Sequence, residues 1–342
     1  MGADILEQPV VLGTLLGEGA GSIAAVAEVV RARRPRFVLL VARGTSDHAA
    51  LYAKYLVEIR LGLPAGLASP STMTVYGARP DLRDVLVVAV SQSGGSPDLV
   101  GSVEAARSCG GLTVAVTNNA ESALASAAEL HIDVGAGHER AVAATKTYTA
   151  ELLALYLLME AVRVGSVDEA VATAKPLPVL AEQLISESAG PVAALVQRYR
   201  FAERMITTAR GYAYPTAREA ALKLMETCYL PTQAFSGADL LHGPLAMVDR
   251  EMPVLAVAPH GEGGQALRPV LERLAEGGAD LLVIGDPAAV PHAAHLPLPT
   301  VAEELSPVLE ILPLQLLARD LAVARGGNPD APRGLSKITE TW

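Results

Sequence analysis

The stretch Val85–Val100, VLVVAVSQSGGSPDLV, sets six apolar residues directly against Ser91-Gln92-Ser93-Gly94-Gly95-Ser96. An apolar run without alternation reads as a strand buried on both faces, as in a parallel sheet covered by helices. The serine- and glycine-rich hexapeptide then falls at the carboxyl end of that strand, and Pro97 and Asp98 suit the first turn of a following helix. In open α/β sheets, ligands bind beyond the carboxyl ends of strands, at the N-termini of the helices that follow. Glycines let the backbone turn tightly and serine hydroxyls add donors, so the segment suits a phosphate. It is not a Walker loop, because no Gly-Lys-Ser/Thr follows, and it is not the Gly-x-Gly-x-x-Gly dinucleotide fingerprint. Gly44-Thr45-Ser46, at the end of an earlier apolar run, is a second donor cluster. One such cluster alone reads more readily as a plain loop or helix cap; two at adjacent strand ends make a phosphate site an equally good reading.

Working outward, the same unit occurs twice. Phe37–Glu58 and Arg204–Glu226 both run through an apolar segment, Ala-Arg-Gly and a helix-like stretch, and Gly44 and Gly211 stand 167 positions apart. Leu86–Val90 matches Val254–Ala258, and Leu112–Asn118 matches Asp280–Asp286, each at an offset of 168. Short Val/Leu/Ala runs alternate with stretches of helical period, such as Ala49–Ile59, Asp98–Ser108 and Thr149–Val162. The pattern predicts an α/β protein of two tandem doubly wound parallel-sheet domains related by a pseudo-twofold, one over 1–170 and the other over 171–342. Each should hold five strands, and a helix from about Lys175 to Tyr199 should open the second. The second copy of the hexapeptide is Pro259–Gly264, PHGEGG, which has lost every hydroxyl. One phosphate site is therefore expected, in the first domain.

Composition narrows the class. The chain has 342 residues, 51% hydrophobic and 19% charged, enough for two domains with large cores. Aromatics are only 4%, so those cores are aliphatic. A formal net charge of -10 argues against nucleic acid or an anionic membrane as partner, since either wants a basic face. No uninterrupted apolar run is long enough to span a membrane, and the first eight residues do not read as a signal peptide. Only Cys109 and Cys228 occur, which fits a cytoplasmic location. His131, His138, His292 and His295 form no recognised metal set with Asp133 or Glu139, so neither metal nor cofactor is expected.

The segment Arg218–Glu226, REAALKLME, places Glu219, Lys223 and Glu226 on one helical face. By spacing alone this reads more readily as a solvated Glu-to-Lys face than as a catalytic cluster. The motifs ARGTSDHA, SQSGGSPD, ATKTYTAE, REAALKLMETCY, LHGPLAMVD and PRGLSKITETW, in that order, resemble the double sugar-isomerase (SIS) half of the glucosamine-6-phosphate synthase family. ILEQP, from Ile5, resembles the segment that opens that half. The resemblance implies a hexose 6-phosphate ligand and an aldose–ketose proton shuttle. Because this chain begins at the isomerase half and has no cysteine before Cys109, it is expected not to draw ammonia from glutamine. It is then similar to SIS-type glucosamine-6-phosphate deaminases, which form fructose 6-phosphate and ammonia, and to related deglycases of sugar-amine phosphates.

The resemblance also implies residue roles. Glu226 matches the base that moves a proton between C1 and C2, and Glu219 and Lys223 match its supporting pair. His242 matches a histidine that assists ring opening from the neighbouring subunit, which implies a homodimer. Lys337 matches a lysine that forms a Schiff base with the ketose. Thr45, Ser46, Ser91, Gln92, Ser93 and Ser96 match phosphate and hydroxyl contacts, and Val142 matches a backbone contact. Two positions depart from the family pattern: Gly95 and Asp239 each stand where the synthase has glutamate, and this puts the identity of the sugar in question. A phosphosugar-binding sensor is the competing class. It would keep the hydroxyl cluster but could lose Glu226, His242 and Lys337, all of which are present here.

Overall fold

The computed structural model describes residues 1–337; residues 338–342, the end of the PRGLSKITETW tail, lie outside the described residues. The chain divides into two compact units. The first comprises Glu7–Glu139, Ala144–Pro178 and, in the described tail, Ser336 and Lys337; the second comprises Met1–Leu6, Arg140–Ala143 and Val179–Leu335.

In the first unit, β1 (Phe37–Val41), β2 (Ala65–Leu67), β3 (Val85–Ser91), β4 (Leu112–Thr117) and β5 (Leu130–Asp133) form one sheet in the order β2-β1-β3-β4-β5. Every pairing is parallel. The strand that opened the sequence reading is β3, and from Leu86 to Ser91 it is buried at every residue, which is why its sequence shows no alternation. Leu99, Val103 and Ala106 of the helix Pro97–Ser108 pack with Val87, Ala89 and Ala115 in one apolar cluster. The helices Thr45–Leu56 and Lys146–Val164 pack against each other and also contact the sheet.

The second unit repeats this plan with β6 (Met205–Ala209), β7 (Thr232–Ser236), β8 (Pro253–Ala258), β9 (Asp280–Gly285) and β10 (Ala294–Pro297), all parallel, in the order β10-β9-β8-β6-β7. Its core cluster joins Val254, Ala256 and Val283 to Leu267, Val270 and Leu274 of the helix Glu262–Glu276. Two five-stranded parallel sheets flanked by helices are the architecture that the apolar runs predict. In detail, the helix expected from Lys175 runs Leu177–Tyr199 and is preceded by a short helix, Asp168–Ala174. The helix expected from Ala49 begins at Thr45, so Thr45 and Ser46 stand in its first turn. Two helical stretches, Gly2–Arg33 and Asp168–Tyr199, are long and apolar enough to cross a membrane by length and composition, a test that core helices also pass.

The helices Tyr214–Cys228 and Ser306–Ala324 form an extensively packed pair within the second unit. The Thr227 hydroxyl lies 2.7 Å from the Lys223 carbonyl of its own helix and 3.4 Å from the Ala318 carbonyl of the other, and Thr207 of β6 donates to the Ala217 carbonyl at 2.7 Å. A carboxyl group, Glu310, is fully buried in this unit, and its Oε2 accepts from the Thr216 hydroxyl at 2.7 Å. Burial pushes its pKa up to about 7; the hydroxyls of Thr216 and Ser306 pull the other way without overcoming the burial, and the charge of Glu303 adds to the rise. An acid with a raised folded-state pKa keeps its proton in the fold at a pH where the unfolded chain has released it. Stability is therefore lost as pH rises from about 4.5 through about 7. Across that window the cost is on the order of 3 kcal/mol. Urea unfolding at pH 5 and pH 8 should find Glu310→Gln gaining stability on the wild type by roughly this amount at the higher pH. Parallel pH dependence in the two proteins would show that Glu310 does not titrate in the fold.

Candidate active site

The loop after β3 organises itself through its own hydroxyls. The Gly94 N–H donates to Ser91 Oγ at 3.2 Å and the Gly95 N–H donates to Ser93 Oγ at 3.3 Å. Each serine thus uses a lone pair on the loop and keeps its O–H proton for an outside acceptor. Gly94 has φ +62°, and a Cβ there would lie 2.2 Å from Ser122 Oγ, so this turn requires glycine. Ser96 precedes the helix Pro97–Ser108 without bonding to it through its side chain, so its hydroxyl is not used as a cap. The structure therefore brings Ser91, Ser93 and Ser96 together as donors at a helix N-terminus, a setting that favours an anion.

The remaining residues expected to bind are held in other ways. Ser46 donates its hydroxyl to the buried Glu151 at 2.9 Å, so it offers lone pairs rather than a proton. Thr45 is half-buried beside it in the same first turn. Gln92 donates through Nε2 to Glu139 at 2.9 Å, which leaves its carbonyl oxygen to accept from a sugar hydroxyl. Glu139 in turn accepts from the backbone N–H of Thr145, from the Thr145 hydroxyl at 2.8 Å and from the Lys146 N–H at 2.9 Å, capping the helix Lys146–Val164. Sequence reasoning weighed Glu139 only as a metal ligand; an acidic residue six positions before Thr145, at a helix start, was the available signal. In the second unit, the Val142 N–H donates to the Asp330 carbonyl at 3.2 Å, so a backbone contact from Val142 to a ligand falls to its carbonyl.

The second unit carries the residues expected to serve as acid and base. Pro215 opens the helix Tyr214–Cys228, and the Ala-, Leu- and Glu-rich sequence that follows favours helix throughout. Lys223 Nζ lies 3.3 Å from Glu219 Oε1 and 2.5 Å from Glu226 Oε2. The side chains of Lys223 and Glu219 are 1% and 0% exposed, while that of Glu226 is 23% exposed. Burial pulls the Lys223 pKa down, but the two carboxylates outweigh it and leave the pKa raised, so the ammonium stays charged between them. The solvated-face reading of this helix is overturned. Glu226 is the one member of the cluster with access to a ligand.

His242 is exposed and follows the short helix Gly237–Leu241, and its ring makes no hydrogen bond among the described residues. That helix is capped by Ser236, whose Oγ accepts from the Asp239 N–H at 3.2 Å and donates to Asp239 Oδ2 at 2.7 Å. Asp239 is thereby engaged in the cap. Lys337 is exposed, outside any helix or strand. Cys228 is buried, and burial pushes its thiol up to about 11, as expected of an inert core residue.

The degenerate loop of the second unit holds an internal anion. Glu303 accepts from the N–H groups of Glu262 and Gly263, both at 2.8 Å, at the start of the helix Glu262–Glu276. A carboxylate of the chain occupies the place that a phosphate would take, and nothing in the local sequence of the loop announces a residue 41 positions away.

Known proteins resemble this chain over most of its length. Glutamine–fructose-6-phosphate aminotransferase (isomerizing) of Gloeobacter violaceus is 36% identical over 314 residues, covering 88% of this chain and 51% of that protein. The Pyrobaculum aerophilum protein of the same name is 36% identical over 344 residues, covering 98% of this chain and 56% of that protein. The chain thus spans about half the length of the curated relatives it matches. Among solved structures, the C-terminal domain of glucosamine-fructose-6-phosphate aminotransferase from Francisella tularensis matches with a TM-score of 0.86 at 26% identity, over 96% of this chain and 97% of that one. A Silicibacter pomeroyi DSS-3 chain assigned as a phosphosugar isomerase gives 0.83 at 34% identity, over 96% and 98%. Glucosamine-6-phosphate deaminase from Thermotoga maritima, at 21% identity and a TM-score of 0.74, shares the fold. With residues 32–161 and 199–325 both matching the SIS domain, the chain belongs to the SIS domain family.

Proposed function

We propose that the protein is a phosphosugar aldose–ketose isomerase acting on hexosamine phosphates, converting glucosamine 6-phosphate to fructose 6-phosphate and ammonia. The observation that carries this reading is Lys223, buried and charged between Glu219 and the accessible Glu226. A sensor needs the hydroxyl loop, but it has no use for a carboxylate gripped by a buried ammonium.

In the proposed reaction the sugar ring opens to the aldehyde, with His242 assisting. Glu226 takes the proton from C2 and returns it to C1 through an enolamine, which converts the amino aldose to the ketose imine. Water adds to the imine carbon and ammonia leaves, giving fructose 6-phosphate. Lys337 is the candidate for a Schiff base with the ketose. The hydroxyls of Ser91, Ser93 and Ser96 hold the phosphate, and Gln92, Ser46, Thr45 and the Val142 carbonyl are the candidates for sugar contacts. A homodimer in which His242 serves the partner's site completes the reading.

Incubating the protein with glucosamine 6-phosphate and following ammonia and fructose 6-phosphate tests the reaction. Turnover confined to ketose phosphates bearing an amino acid would make the protein a deglycase instead. Glu226→Gln keeps the size of the side chain and removes the base, so kcat should fall by about 100-fold to 10,000-fold with Kd for the sugar phosphate little changed. Exchange of the C2 hydrogen with solvent should stop in the same variant, and exchange at the wild-type rate would place the base outside this cluster. Replacing both Ser91 and Ser93 by Ala removes two bonds to a charged group, each worth about 1.5–3 kcal/mol, so KM should rise by at least about 100-fold. An unchanged KM would take the phosphate away from this loop.

A further inference from the structure

Resting on the phosphosugar reading and extending it, we infer that Arg43 is an additional contact to the substrate phosphate, held in position by Asp98. In the register of the first sheet, Val41 of β1 pairs with Ala89 of β3, so two residues further on Arg43 and Ser91 come level at the carboxyl edge of the sheet. Arg43 Nε donates to Asp98 Oδ2 at 2.8 Å, and Asp98 lies two residues beyond Ser96 in the first turn of the helix Pro97–Ser108. The Asp98 side chain is 2% exposed and that of Arg43 is 50% exposed. A buried acid thus grips an exposed guanidinium beside the hydroxyl loop.

The manner of the grip argues for a ligand. A guanidinium carries five N–H donors in a planar fork, and a purely structural pair with a carboxylate is commonly bidentate. Here only Nε is used: Asp98 Oδ1 has no hydrogen-bond partner, and the Nη nitrogens make no bond among the described residues. The fork is fixed along one edge and open along the other, the arrangement that suits a phosphate. The loop itself supplies neutral hydroxyls, and a phosphate dianion calls for a cation beside them. The second unit provides an internal contrast. Ala209-Arg210-Gly211 repeats the Ala-Arg-Gly of the first, but the position matching Asp98 is Ala266, and Glu303 already caps that loop. The anchored arginine goes with the loop that kept its hydroxyls.

Kinetics with glucosamine 6-phosphate and competitive inhibition by inorganic phosphate test the assignment. Loss of a charge-assisted contact predicts that Arg43→Gln raises both KM and the phosphate Ki by about tenfold or more, with kcat held within about threefold. Arg43→Lys keeps the charge and the ion pair but loses the fork, so it should raise the phosphate Ki by an intermediate factor; it carries the test if Arg43→Gln does not fold. An unchanged phosphate Ki in the folded variants overturns the inference, as does a fall in kcat alone. A wild type that neither turns over the sugar nor binds phosphate would fail the phosphosugar reading itself.

Discussion

In a parallel sheet ordered β2-β1-β3-β4-β5, the chain leaves β1 and β3 toward different helices, and a crevice opens between the two strand ends. That crevice is the constraint on which the proposed phosphate site depends. The register beneath it brings Arg43 level with Ser91 although they are separated by some fifty positions in the chain. Of the hydroxyl loop only Ser91, the last residue of β3, takes part in the backbone pairing, against Thr117 of β4. The strands beneath carry most of the burial; in the loop Ser91 and Gly94 are buried, while Gln92, Ser93, Gly95 and Ser96 are at least partly exposed.

The second unit uses the same topology for a different purpose. There Glu303 caps the loop after β8, while the buried Glu219–Lys223–Glu226 cluster sits on the helix that follows β6. Lys223 is stable in a buried position because two carboxylates surround it. Removing either one would leave a desolvated charge, the costly case for an ion pair. This interdependence explains why Glu219, fully buried and without access to a ligand, belongs to the same cluster as the accessible Glu226.

Much of this was legible in the sequence, because it rests on local pattern. Unalternating apolar runs gave the strands, the 167- and 168-residue offsets gave the duplication, and the i, i+4, i+7 spacing put Glu219, Lys223 and Glu226 on one face. Spacing could not say whether that face was wet or buried, since burial is decided by the helix Ser306–Ala324 nearly a hundred positions later. The residues that escaped are carboxylates acting at long range. Glu139 meets Gln92 across 47 positions, Glu151 meets Ser46 across 105, and Glu310 meets Thr216 across 94. Ser46 illustrates the cost: its type and place suggested a phosphate donor, and only the fold reveals where its proton goes.

The Glu303 cap has a consequence for how the two halves of a duplicated chain can diverge. Once an internal carboxylate satisfies the N–H groups of Glu262 and Gly263, lost hydroxyls in that loop no longer leave a helix end unsatisfied, although Gly261, Gly263 and Gly264 stay fixed by the close approach of Glu303 and the backbone. The reverse path begins at a cost. Deleting Glu303 first would strip the helix Glu262–Glu276 of its cap before any ligand could replace it. A chain built from two equal copies is in this way ratcheted toward one open loop and one sealed one, by a side chain that takes no part in either loop's sequence.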